Sequence, residues 1–198
     1  PPAAIEAPPG LRLLYMEGPL RHRIETPTQT ALERARKACE DAGHTFEEVD
    51  LPASFDNTEP HMLTVFGYEV AKNHAGDRDR SGDLMSPKMR EIIDLGRAIS
   101  EEAYDTAKEE IEKLKLEIAP IVSGDTVVLA PAVDSYAPSI EDVGTGPNNL
   151  QGLPTALGLP SLAVPCGLVD DLPVGVQLFA PTGREDLLIA AARLISDR

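Results

Sequence analysis

A serine hydroxyl attacks a carbonyl only when a base lies within hydrogen-bond reach, and a lysine can be that base only where its surroundings hold it neutral. The nine serines here are Ser54, Ser81, Ser86, Ser100, Ser123, Ser135, Ser139, Ser161 and Ser196, all isolated from one another. None of Lys37, Lys72, Lys88, Lys108, Lys113 and Lys115 sits in an apolar, glycine-rich setting. Cys166 has no histidine near it in sequence to draw off its proton, and a thiol without such help is a poor nucleophile at neutral pH. On these grounds no residue is assigned a catalytic role.

Metal and redox chemistry are equally thinly supplied. His22, His44, His61 and His74 show neither HxH nor HxxxH spacing, so no metal and no cofactor are expected. Two cysteines, Cys39 and Cys166, are too few and too far apart for a disulfide framework; both read as buried free thiols, with Cys166 just after a strand.

The charge balance narrows the partners. Eighteen basic against 33 acidic side chains give a net charge of -15 over 198 residues, a field that repels phosphate backbones and anionic lipid. The short basic run RHR, 21 to 23, reads as a solvated loop. Aromatic residues are 4% of the chain and tryptophan is absent, which leaves no stacking platform for bases. No apolar run reaches the length of a membrane span, and PPAAIEAPPG has neither the basic start nor the apolar core of a signal peptide. The expectation is a cytoplasmic protein that binds neither nucleic acid nor membrane.

The elements that would position any chemistry follow from periodicity. PPAAIEAPPG, 1 to 10, reads as an extended linker and 11 to 198 as a single α/β unit. LRLLYM, 11 to 16, is a short strand. Thr26, Pro27 and Gln29 read as cap, first helical position and third, with Ala31, Leu32, Ala35, Ala38, Cys39 and Ala42 on one face and Gly43 as the stop. HTFEEVDLP then supplies a second strand, and a strand, helix, strand order favours parallel pairing. The middle, roughly 58 to 118, reads as mostly helical. Pro60 and Pro87 suit first turns, Thr58 or Glu59 and Ser86 suit caps, and KNHAGDRDRSGD reads as a polar loop.

Tyr104, Ala107, Ile111, Leu114 and Ile118 make a narrow apolar stripe, and Glu109 with Lys113 is an i,i+4 pair. The stripe is expected to pack within the fold, with a coiled-coil partner as the alternative. TVVLAP, 126 to 131, is the unbroken apolar run of a strand buried on both faces. After it comes the long loop VDSYAPSIEDVGTGPNN, of a length that often carries function. A short helical turn, the two strands of GLPSLAVPCGLVDDLPVGVQLFAP and a last helix bearing Leu187, Leu188, Ala191, Leu194 and Ile195 close the chain. Pro165 and Gly167 are read as ending the first of those strands.

Taken in order, TVVLAPAVDSYAP, the TG at 145 to 146, TALGLPSLAVPCG and LPVGVQLFAPTGREDLLIAAARL resemble the C-terminal half of the amidase signature family. The resemblance implies a mixed, largely buried β-sheet flanked by helices. It also implies hydrolysis of carboxylic amides by a serine, a cis-peptide serine and a lysine carried on a Gly/Ser-rich segment. That segment has no counterpart here, and in the family it precedes the region that matches. By resemblance, Asp134, Tyr136, Thr145 and Gly146 are candidate substrate-binding positions near the acyl pocket. The implied partners are a small-molecule amide substrate in the complete enzyme and a missing N-terminal half or partner subunit, with a homodimer as a further option. The alternatives are a non-catalytic scaffold module and one subunit of a split amidase or amidotransferase.

Overall fold

A computed structural model of the chain describes residues 6–139, 141 and 149–196. Five strands form one mixed sheet in the order β2-β1-β3-β5-β4. They are β1 Arg12–Tyr15, β2 Phe46–Glu48, β3 Thr126–Pro131, β4 Ser161–Val169 and β5 Leu172–Phe179. β1 runs parallel to both β2 and β3, and β3 and β4 run antiparallel to β5. The helices are α1 Thr26–Asp41, α2 Thr58–Ser81, α3 Pro87–Gly96, α4 Glu101–Ile118, α5 Gly152–Leu157 and α6 Glu185–Ser196.

Alternation along the strands divides the core into two layers, because successive side chains leave opposite faces. Leu13, Val127, Leu129, Val176 and Leu178 face α1 and α6, meeting Ala31, Leu32, Ala35, Leu187, Leu188 and Ala191. Leu14, Met16, Val128, Ala130 and Phe179 face the other way, onto Phe55, Leu114, Ile118, Leu153 and Leu157. All six residues of β3 are buried, as its unbroken apolar run requires. The apolar stripe of α4 packs inside the fold, with Ala107, Ile111, Leu114 and Ile118 all buried.

The caps of α1 and α2 fall at other residues than expected. Thr26 is the first helical residue rather than the cap, which is Glu25 without a side-chain cap bond; the Thr28 hydroxyl instead donates to the Val133 carbonyl at 2.9 Å. Neither Thr58 nor Glu59 caps α2; the cap position is Asn57, and the Thr58 hydroxyl donates to the Phe55 carbonyl. Ser86 does cap α3, accepting from the Met89 N–H at 3.2 Å.

KNHAGDRDRSGD is helical as far as Ser81. Its charges are satisfied along the helix by Arg80 to Asp77 at 2.6 Å and across to α3 and its end by Arg78 to Asp94 and Arg97 to Asp79. Lys113 pairs with Glu110 at 2.6 Å, three residues back, instead of Glu109.

β4 continues through Pro165 and Gly167 to Val169. The register shifts between Pro165 and Leu168, and Gly167 takes φ 87°, a bulge geometry in which glycine carries no Cβ penalty. Arg34 Nη1 donates to both the Cys166 carbonyl at 3.1 Å and the Leu168 carbonyl at 2.8 Å, holding the bulge. Asp170 and Asp171, both at positive φ, make the two-residue turn into β5.

α2 and α3 touch at Gly67 and Gly96, where a Cβ on Gly96 would overlap the Gly67 carbonyl oxygen. In an open helix Gly→Ala gains about 1 kcal/mol, but here the obstacle is backbone that cannot rotate away. Gly96→Ala is therefore expected to lower unfolding free energy by roughly 1–3 kcal/mol, read from urea denaturation; a gain in stability would show that the two helices separate freely.

Candidate functional site

Where parallel strands end at their C-termini, the backbone leaves the sheet and a crevice opens. β1 and β3 are such a neighbouring pair, and a cleft lies across their ends. Met16, Ala130, Leu153 and Phe179 give it an apolar lining, and Glu17, Asp56 and Glu59 supply carboxylates. No sequence signal marks these acidic groups as a set, because they come from separate connections after β1 and before or within α2.

Asp134 lies just beyond β3 and is 7% exposed. Arg23 donates to its Oδ2 from Nε at 2.9 Å and from Nη2 at 2.7 Å. The guanidinium also reaches towards Glu59, with Nη1 3.9 Å from Oε1. Arg23 thus ties a carboxylate of the cleft to the strand end behind it. The backbone reinforces the junction, since the Glu25 N–H donates to the Asp134 carbonyl at 2.9 Å. RHR is accordingly more than a solvated loop: Arg21 pairs with Asp50 at 3.1 Å and Arg23 is three-quarters buried. Nothing in the spacing points to this contact, which joins residues 111 positions apart.

Tyr136 is placed differently. Its hydroxyl donates to Asp170 Oδ2 at 2.5 Å, pinning the loop after β3 to the β4–β5 turn. That hydrogen bond, and then desolvation, raise the phenol above its usual range. Asp134 and Tyr136 are therefore both engaged with charged partners, one beside the cleft and one at the hairpin tip. Thr145 and Gly146 lie outside the described residues.

The groups weighed as nucleophile or base sit in settings that suit neither role. Lys37, Lys88, Lys113 and Lys115 each face a carboxylate. Lys72 and Lys108 lie over the rings of Tyr68 and Tyr104. Among the described residues, no group of three or more His, Cys, Asp or Glu side chains could hold a metal ion. No described helix is long and apolar enough to cross a membrane.

Cys39 is buried in α1, as expected, whereas Cys166 lies within β4 at the bulge and is only partly buried. Desolvation pushes the Cys166 thiol up to about 11, outweighing the nearby Arg34 charge that pulls the other way. The neutral thiol is thus the favoured folded form.

The profile of the Amidase family matches residues 2–189, and the chain belongs to that family. A glutamyl-tRNA(Gln) amidotransferase subunit of Syntrophomonas wolfei is 27% identical over 213 residues, covering 92% of this chain and 44% of that protein. A crystal structure of an amidase superposes with TM-score 0.82 at 22% identity, covering 100% of this chain and 47% of the other. The corresponding amidotransferase subunit of Thermotoga maritima superposes with TM-score 0.72 at 24% identity, covering 99% and 44%. The fold is that of the amidase signature proteins, and the chain spans less than half the length of these relatives.

Two outcomes follow from this geometry. Arg23→Ala leaves the nearly buried Asp134 carboxylate without its fork of donors and is expected to cost about 2–3 kcal/mol in chemical denaturation. Arg23→Lys should recover only part of this, because an ammonium cannot present two N–H groups to one oxygen in that plane; a loss indistinguishable from zero in the alanine variant would refute the role. Iodoacetamide should alkylate Cys166 at pH 8 roughly a hundredfold more slowly than an unstructured cysteine peptide, because so little is thiolate. Linkage has the same sign: the burial of the neutral thiol favours folding below the ordinary thiol value and ceases to do so as pH climbs through about 11. Peptide mass spectrometry across pH 7 to 10 reads the alkylation, and reaction as fast as the peptide's would overturn it.

Proposed function

We propose that this chain is the C-terminal portion of an amidase signature hydrolase that cleaves the C–N bond of carboxylic amides. In this reading a serine, cis-serine and lysine on a Gly/Ser-rich segment outside the chain perform the chemistry. The observation that carries it is the family match over residues 2–189 in a chain that spans 44% to 47% of its relatives and has no such segment. Residues 11 to 198 then act as one unit that completes the sheet and one wall of the pocket, with 1 to 10 as a linker.

Asp134, Tyr136, Thr145 and Gly146 are the proposed pocket positions. The Arg23–Asp134 pair holds the strand end beside the cleft in place, and the acidic cleft favours neutral or cationic amides over anionic ones. A cytoplasmic setting fits this chemistry.

A second reading is that the chain belongs to one subunit of a split amidase or an amidotransferase. It is favoured by the Syntrophomonas wolfei and Thermotoga maritima relatives, each of which is one subunit of a glutamyl-tRNA(Gln) amidotransferase.

The purified 198-residue chain should release no ammonia from glutamine, aliphatic amides or aryl amides above the buffer rate. The polypeptide or complex that carries it in its source should release ammonia from at least one of them. Hydrolysis by the chain alone that co-purifies with it through successive columns would overturn the assignment of catalysis to a segment elsewhere.

A further inference from the structure

Two large apolar side chains of α2 stand half out of the core, Leu63 at 46% and Phe66 at 51% exposure. With Met62 and Val65 from the same helix, Ile111 from α4 and Ala156 from α5, they line a groove of about 580 Å³. Pockets of this size and character enclose small organic molecules.

The charged groups along the groove are occupied with partners of their own. Lys115 pairs with Glu112 at 2.7 Å, the Tyr104 hydroxyl donates to Glu69 at 2.9 Å, and the Lys108 ammonium stands 5.1 Å from the centre of the Tyr104 ring. A charged ligand would have to displace one of these partners, whereas an uncharged chain gains from the apolar floor directly.

Groove and cleft meet on two elements. Gly152, at the start of α5, lines both. On α2, Glu59 lies in the cleft while Met62, Leu63 and Phe66 lie in the groove, and offsets of three, four and seven put all four on one helix face. From Glu59 to Phe66 that face runs about 10 Å, the reach of a medium-length alkyl chain. At the junction the end of Met62 stands against Gly152, where a Cβ would come 3.1 Å from its Sδ and Cε. An unbranched thioether is the kind of side chain that rearranges around a passing chain.

We propose that the groove holds the alkyl chain of a straight-chain aliphatic amide whose carboxamide end lies in the cleft. This rests on the reading above, in which the chain is one part of a hydrolase of carboxylic amides, and it narrows the substrate to uncharged, medium-chain amides. In that hydrolysis the oxygen of water bonds to the carbonyl carbon as the C–N bond breaks, releasing ammonia and the carboxylate. The alkyl chain in the groove is unchanged.

The test uses the polypeptide or complex that carries this chain in its source, with butyramide, hexanamide and octanamide as probes. Each methylene taken into the groove should strengthen binding roughly two- to fourfold, so kcat/KM for ammonia release should rise at least about tenfold from butyramide to octanamide. A flat or falling series overturns the proposal. Leu63→Asp and Phe66→Asp place a charge in the groove at positions already half exposed, and each should cut the octanamide-to-butyramide ratio at least about fivefold. Leu116→Asp, on α4 at 78% exposure and outside the groove, should leave that ratio as it is. An equal fall in all three variants shows a general effect of added charge and counts against the groove.

Equilibrium dialysis of octanamide against the same form separates this proposal from the enzymatic reading. Saturable binding that Phe66→Asp weakens, without hydrolysis of any of the three amides, removes the enzymatic reading and keeps the groove. Hydrolysis without a chain-length preference does the reverse. Absence of both octanamide binding and octanamide hydrolysis overturns the proposal.

Discussion

β3 is the most enclosed strand of the sheet: its six residues are buried, and it is hydrogen-bonded to β1 on one side and β5 on the other. A peptide segment can be dry on every side only if each backbone N–H and C=O is paired and each side chain is apolar or satisfied. Both helical layers are arranged to meet that demand. α1 and α6 cover Val127 and Leu129, and α4, α5 and the turn at Phe55 cover Val128 and Ala130. Even Thr126 complies, donating its hydroxyl to the Ser123 carbonyl.

The consequences of that burial appear where β3 ends. The chain leaves the dry interior at Asp134, and a carboxylate so little exposed needs a cation at hand. Arg23 supplies it from the connection that follows β1, the strand lying beside β3. The same arginine approaches Glu59 at the start of α2, so the strand ends, the first turn of a long helix and the cleft between them are one electrostatic unit. Towards the far end of the sheet the demand relaxes, and β4 is covered on one face only.

Most of the elements are legible in the sequence. The unbroken TVVLAP run, the 3.6-residue stripes of α1, α4 and α6, and the acidic turn between two apolar strands are local signals, and each element forms where its signal lies. Sequence and structure part where a residue has more than one option open to it. Thr26 and Thr58 have the chemistry of caps, but the chain path places the caps elsewhere. The Lys72 to Ser81 segment has the composition of a polar loop, yet α3 offers Asp94 and Arg97 as partners across the helix pair. Gly167 has the character of a strand terminator and becomes a bulge because Arg34 can bind the carbonyls it turns out.

The sequence alone marked an α/β chain whose ordered motifs resemble the amidase signature family. Composition, periodicity and ordered motifs are properties of the chain read end to end. It took the three-dimensional arrangement to show that Arg23 serves Asp134, that Tyr136 is held by Asp170, and that β4 lies at an edge of the sheet among the described residues. Each depends on which residues far apart in sequence meet in space, and on which face a strand turns outward once its register is set, quantities that no local pattern encodes.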